Sequence, residues 1–182
     1  MKHILTLAAL ATLGACAGTP MNPFMQDSLP DAVKVPAGHR VAMETVGVGE
    51  ITYECKAKAQ SPAQMADQFE WVFAGPKAAL NDRSGKTVGS YFGPPATWAA
   101  LDGSKLTGTQ LAVAPAGMGN IPLQLVKANP AMGDGAMAGV THIQRVATKG
   151  GVAPALPCAS GNAGQKQVVA YQADYIFWKA AM

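Results

Sequence analysis

A chain of 182 residues has the length of one domain, and with only 14% charged side chains and a formal net charge of +3 its surface must be unusually neutral. The 14 basic residues are scattered, with no basic run and no aromatic-interleaved stripe, which excludes the electrostatic footprint of nucleic-acid binding or of charge-driven attachment to anionic lipid. Gly 20 and Pro 13 suit a β-rich chain full of turns better than a helical one.

Residues 1–15 read as a leader. Lys2 and His3 make a short polar start, Ile4 to Leu13 is apolar, and small residues follow. Such a run is too short to span ~30 Å of hydrocarbon, so the pattern is that of a signal peptide rather than a membrane helix. Leu13-Gly14-Ala15-Cys16 resembles the bacterial lipobox, in which the cysteine is acylated and becomes the new N-terminus. Cys16 is thus the expected lipidation site, and acyl chains would hold the protein on a membrane at ~0.8 kcal/mol per buried CH₂. Ala17 stands where some bacteria mark inner-membrane retention with Asp, which favours the outer membrane. Ala15-Cys16-Ala17 also offers a small-x-small cut that would release a soluble periplasmic or secreted protein from Gly18. Residues 16–29 lack periodicity and read as a lipid-anchored flexible tether, with the folded domain expected over residues 30–182.

Short runs punctuated by turn residues follow, the all-β pattern. Arg40 to Val46 is a strand candidate, and Gly47-Val48-Gly49 is read as breaking it before Glu50 to Cys55. Pro62 to Gln68 is a weak helix candidate. Phe69 to Ala74 alternates, with Phe69, Trp71 and Phe73 on one face. A turn at Asn81-Asp82-Arg83-Ser84-Gly85 leads to Lys86 to Phe92, and Asp102-Gly103 joins Thr97 to Leu101 with Lys105 to Ala114 as a hairpin. Ile121 to Ala128, Ala138 to Thr148 and Gln167 to Lys179 supply three more strands. In the last, Tyr171, Ala173, Tyr175 and Phe177 share one face, opposite Gln172, Asp174, Ile176 and Trp178. The expected fold is all-β, a β-sandwich or partly closed β-barrel of about eight short strands.

Three cysteines occur. With Cys16 taken by lipid, Cys55 and Cys158 remain as an even pair, which in an exported domain is normally a disulfide; two buried free thiols are the alternative. The bond would close a loop of 158 − 55 = 103 residues, worth roughly 4.7 kcal/mol on chain entropy. There is no C-x-x-C, and His39 and His142 lie far apart in sequence, so no metal site is expected.

Several segments, in order, carry a family resemblance. They are Leu29-Pro30-Asp31-Ala32-Val33-Lys34-Val35-Pro36-Ala37-Gly38, Tyr53-Glu54-Cys55, and Trp71-Val72-Phe73-Ala74-Gly75-Pro76-Lys77. Gly93-Pro94-Pro95-Ala96-Thr97-Trp98, Ile143-Gln144-Arg145-Val146, Cys158 and Tyr171-Gln172-Ala173-Asp174-Tyr175 complete the set. Together they resemble the secreted bacterial and fungal domain of unknown function 3455. The resemblance covers nearly all of the chain from Pro30 onward and implies no established activity. Many relatives carry a histidine where this chain has Tyr91.

Few residues carry recognisable chemistry. Gly117-Met118-Gly119-Asn120-Ile121-Pro122 has proline where a dinucleotide loop needs its third glycine, so neither a nicotinamide nor any other cofactor is expected. Gly85-Lys86-Thr87 lacks the glycine of a phosphate loop at Leu80, and no Gly-x-Ser-x-Gly elbow exists. Glu44, Glu50, Glu54, Glu70 and Asp174 lie in or beside strands, where a catalytic acidic pair is geometrically possible and nothing selects one. Gln144, Arg145 and Asp174 form a candidate polar cluster for a small anionic or sugar-like ligand, Arg145 supplying a bidentate fork. The bland account has Arg145 pair with Glu54 or Asp174. Trp98, after its Gly-Pro-Pro loop, and Tyr91 are candidate recognition aromatics, whereas Trp71 and Tyr175 sit on core-like alternations. The reading is a non-catalytic envelope module for a glycan, small ligand or protein, against an extracytoplasmic hydrolase built on an acidic pair.

Overall fold

The structure, a computed structural model, describes residues 24–58 and 68–181. Among these residues there are eight strands: β1 (His39–Ala57), β2 (Phe69–Asn81), β3 (Thr87–Phe92), β4 (Thr97–Ala100), β5 (Lys105–Ala114), β6 (Leu123–Ala128), β7 (Val140–Gly150) and β8 (Lys166–Ala180). Each pairs antiparallel with the next, and β8 returns to pair with β1 from His39↔Ala180 to Glu54↔Lys166. The sheet is therefore a closed ring, which decides between sandwich and barrel. The ring is uneven, because β1, β2 and β8 are long while β4 covers only Thr97 to Ala100.

Two expectations about strand lengths are corrected. Gly47-Val48-Gly49 does not break the first strand; β1 runs straight through it. Both glycines face the interior where a neighbour leaves no room: a Cβ on Gly47 would lie 2.5 Å from Tyr175 Cε2, and one on Gly49 would lie 2.2 Å from the Lys77 carbonyl oxygen. Glycine here marks a close approach inside a strand, not a turn. Likewise β2 continues past Ala74 to Asn81, with Ala78 and Leu80 buried inside the ring. The Pro62 to Gln68 helix candidate falls almost entirely outside the described residues, as does Cys16. The Asp102-Gly103 hairpin forms between β4 and β5, with Gly103 at φ 89°.

Alternation along the strands builds two cores. Inward-facing Ile51, Leu80, Leu106, Ile143, Tyr175 and Phe177 fill the ring. Outward-facing Leu125, Val146, Ile176 and Trp178 form a second core beneath residues 24–35. This corrects the tether, since its last residues are packed. Phe24 meets Trp178 edge to face at 6.4 Å, Leu29 packs beside it, and Val33 and Val35 are buried. An apolar outer face on β6 to β8 needs a cover, and this segment supplies it.

The two ends of the ring differ. At one end the turns after β2, β4 and β6 gather. There the Asp102 carboxylate accepts from Ser104 N, Ser104 Oγ and Ala136 N at 2.9, 2.6 and 2.7 Å, and buried Met137 plugs the interior. These hydrogen bonds hold Asp102 below the usual carboxylate range. At the other end lie the β3–β4, β5–β6 and β7–β8 connections, and here Cys55 and Cys158 are disulfide-bonded.

Candidate functional site

At the end with the disulfide the interior opens into a pocket of about 430 Å³. An eight-stranded ring has room for side chains or for one small ligand, and here the packing is interrupted on the open side. Ile51 and Tyr53 of β1 and Phe73 of β2 form one wall, Tyr91 of β3 the next, and Gly108 and Gln110 of β5 with Gln124 and Val126 of β6 the third. Arg145 of β7 enters beside Ile121 and Pro122. Register explains the grouping: Gln110 pairs with Val126, Gln124 with Arg145, and Arg145 with Tyr175, so all face inward.

Aromatic rings back the pocket. Tyr91 stacks on Trp98 at 4.7 Å and lies 5.0 Å from Tyr175, while the Tyr171 and Tyr175 hydroxyls are 3.1 Å apart. Tyr53 Oη donates to the Gly151 carbonyl at 2.8 Å, tying β1 to the β7–β8 connection. Burial pushes the Tyr171 hydroxyl up to about 12 and raises Tyr175 well above the usual phenol range, and it raises Tyr53 and Tyr91 as well, against the opposing field of Arg145. All four phenols therefore stay neutral at ordinary pH.

Among the described residues Arg145 is the only ionised side chain lining the pocket. Its Nε and Nη2 donate to the Pro122 carbonyl oxygen at 3.1 and 2.9 Å, and none of the ion pairs among the described residues includes it. Gln124 Nε2 donates to Gln110 Oε1 at 2.6 Å beside it.

The expected cluster of Gln144, Arg145 and Asp174 does not form. Neighbours on a strand point to opposite faces, so Gln144 faces the outer core while Arg145 faces the pocket. Gln144 is fully buried, with Nε2 donating to the Val33 carbonyl at 2.7 Å and to Gln26 Oε1 at 3.0 Å, and Oε1 accepting from Trp178 Nε1 at 2.8 Å. Asp174 is also outside, paired with Arg83 at 2.7 Å; Arg83 holds Glu44 at 2.8 Å as well. Arg145 therefore pairs with neither Glu54 nor Asp174, and Glu54 pairs with Lys56 instead. Trp98 is not exposed for recognition: it is 1% exposed and supports Tyr91 from behind. Tyr175 is core, and Trp71 is half-buried with its indole N–H on the Leu156 carbonyl.

Of the expected residues, Tyr91 and Arg145 reach the pocket; Gln110 and Gln124 were missed. Their signal was a polar side chain on the inward register of an apolar strand, legible only once the inward register is known. Among the described residues no cluster of three or more His, Cys, Asp or Glu is placed to hold a metal ion.

A family model described as a protein of unknown function (DUF3455) matches residues 36–179. The chain belongs to this family. The matched span takes in all eight strands but for the last residue of β8, so the pocket lies wholly within the family's domain. No curated protein and no solved structure matches the chain.

Proposed function

We propose that this DUF3455 protein is an envelope lipoprotein that binds a small ligand, without catalysis, in the open end of its barrel. One observation carries the reading: an inward pocket of about 430 Å³, within the ~300–1,000 Å³ typical of ligand sites, lined largely by aromatic and aliphatic side chains around one cation that has no ion-pair partner among the described residues. Among the described residues the lining includes no carboxylate, histidine or cysteine to serve as acid, base or nucleophile. The acidic-pair hydrolase draws no support from Glu44 and Asp174, whose shared partner Arg83 sits between them on the outer face. Ala96, half-buried at the pocket edge, gives the test. Ligand-observed NMR against a small-molecule library should yield binders that are lost in Ala96→Trp, with thermal unfolding checking that the variant folds. Binders indifferent to that substitution would overturn the pocket assignment.

The anchor belongs to the same proposal. Cys16 follows a leader and leaves Cys55 and Cys158 as a matched pair, so acylation there would hold the domain on a membrane by its N-terminus. Cys16→Ser should move the protein from the membrane fraction to the soluble one. Retention in the membrane fraction would end the claim.

A further inference from the structure

Resting on the pocket-binding reading, we infer that the ligand is a small monocarboxylate with an apolar or aromatic body, its carboxylate seated on Arg145. The guanidinium is already fixed by one edge, Nε and Nη2 sharing the Pro122 carbonyl. Its other edge keeps both N–H groups of Nη1 and one of Nη2, the parallel fork that matches a carboxylate. The half-buried cation has no Asp or Glu within ion-pair distance among the described residues, and such a group in a largely apolar pocket is completed by an anion. The surrounding phenols, kept protonated by burial, do not supply that charge.

The count of charges sets the class. One guanidinium, with no lysine and no helix terminus among the described lining residues, matches a single negative charge rather than a phosphate dianion. Beside it the Gln110 amide, held by Gln124, keeps N–H groups for the second carboxylate oxygen. The apolar and aromatic lining residues Ile51, Phe73, Tyr91 and Ile121 offer no ionised group, so the rest of the ligand is apolar. The volume suits a ring system or a short alkyl chain. A free aromatic acid and a short fatty acid share this chemistry, and the two are separated by probe.

Isothermal titration of the full chain carrying Cys16→Ser would compare indole-3-acetate with indole-3-acetamide, and octanoate with octanamide. At least one acid should bind tenfold or more tightly than its amide, and whichever acid does so names the source. Arg145→Gln should abolish that preference, and Arg145→Lys should restore it only in part, since it returns the charge without the fork. An amide that binds as well as its acid overturns the carboxylate class and leaves the pocket reading standing. Phenyl phosphate binding more tightly than either acid overturns the single charge. Failure of both acids and both amides to bind overturns this inference, and the pocket reading then stands or falls on the Ala96→Trp test. The acid-to-amide comparison in the Arg145-containing protein needs no folded Arg145 variant.

Discussion

Gln144 shows how one side chain can look like a ligand group and serve the fold instead. In sequence it stands beside Arg145 in a polar pair; in the structure it is 0% exposed and joins three parts of the chain. It bonds the Val33 carbonyl and Gln26 from the covering segment, and the Trp178 indole from β8. Gln26 in turn clasps Val35 through both backbone groups, at 2.8 and 2.9 Å. Substituting leucine would leave the Val33 carbonyl and the Trp178 N–H buried without partners, each costing ~1–3 kcal/mol. Gln144→Leu should therefore lose about 2–4 kcal/mol of stability in urea unfolding, while any ligand affinity of the pocket, on the other face, stays within a factor of two.

At the scale of elements, β1, β6 and β7 bring His142 to a buried position against Lys127, its register partner, and His39, whose ring meets it edge to face at 4.8 Å. Burial first, then the fields of Lys127 and His39, lower the His142 pKa. The unfolded chain thus takes up a proton near pH 6.5 that the folded chain accepts only at lower pH. Stability is full above 6.5 and falls as pH drops from there through the lowered folded value, the sign for a group that binds more protons unfolded. Urea midpoints between pH 7.5 and 5 should fall for the unmodified protein, and His142→Gln should flatten that part of the slope. Most elements were legible, and the reasons are local: the Asp102-Gly103 hairpin and the inward face Tyr171, Ala173, Tyr175 and Phe177 follow from turn chemistry and period-two alternation. What stayed hidden was non-local. Whether Gly47 is a break or a gap left for Tyr175 depends on a strand 128 residues later (175 − 47), and nothing within residues 24–29 says that an apolar face waits for Phe24. Of the site, Arg145 and Tyr91 were visible as residue types, but their company at Gln110 and Gln124 came from the inward register.

For the molecule as a whole, the disulfide joins the end of β1 to the β7–β8 connection beside the pocket, across 103 residues. Its neighbours reinforce the joint: Cys55 N donates to the Gln165 carbonyl, Gly164 N to the Cys55 carbonyl, and Trp71 Nε1 to the Leu156 carbonyl. Reduction should cost roughly 2–5 kcal/mol, read as a lower urea midpoint with reductant present; an unchanged midpoint would show that the hydrogen bonds suffice. The closed ring also has a consequence in time. Its seam joins the first strand to the last, pairing His39 with Ala180, so closure must be won against the entropy of a loop spanning the domain. Until then β1 and β8 are both unpaired edges, open to pairing with another copy. A bond between Cys55 and Cys158 holds those edges near each other before they zip. An oxidant present during folding is thus a guard against strand-to-strand aggregation as well as a source of final stability.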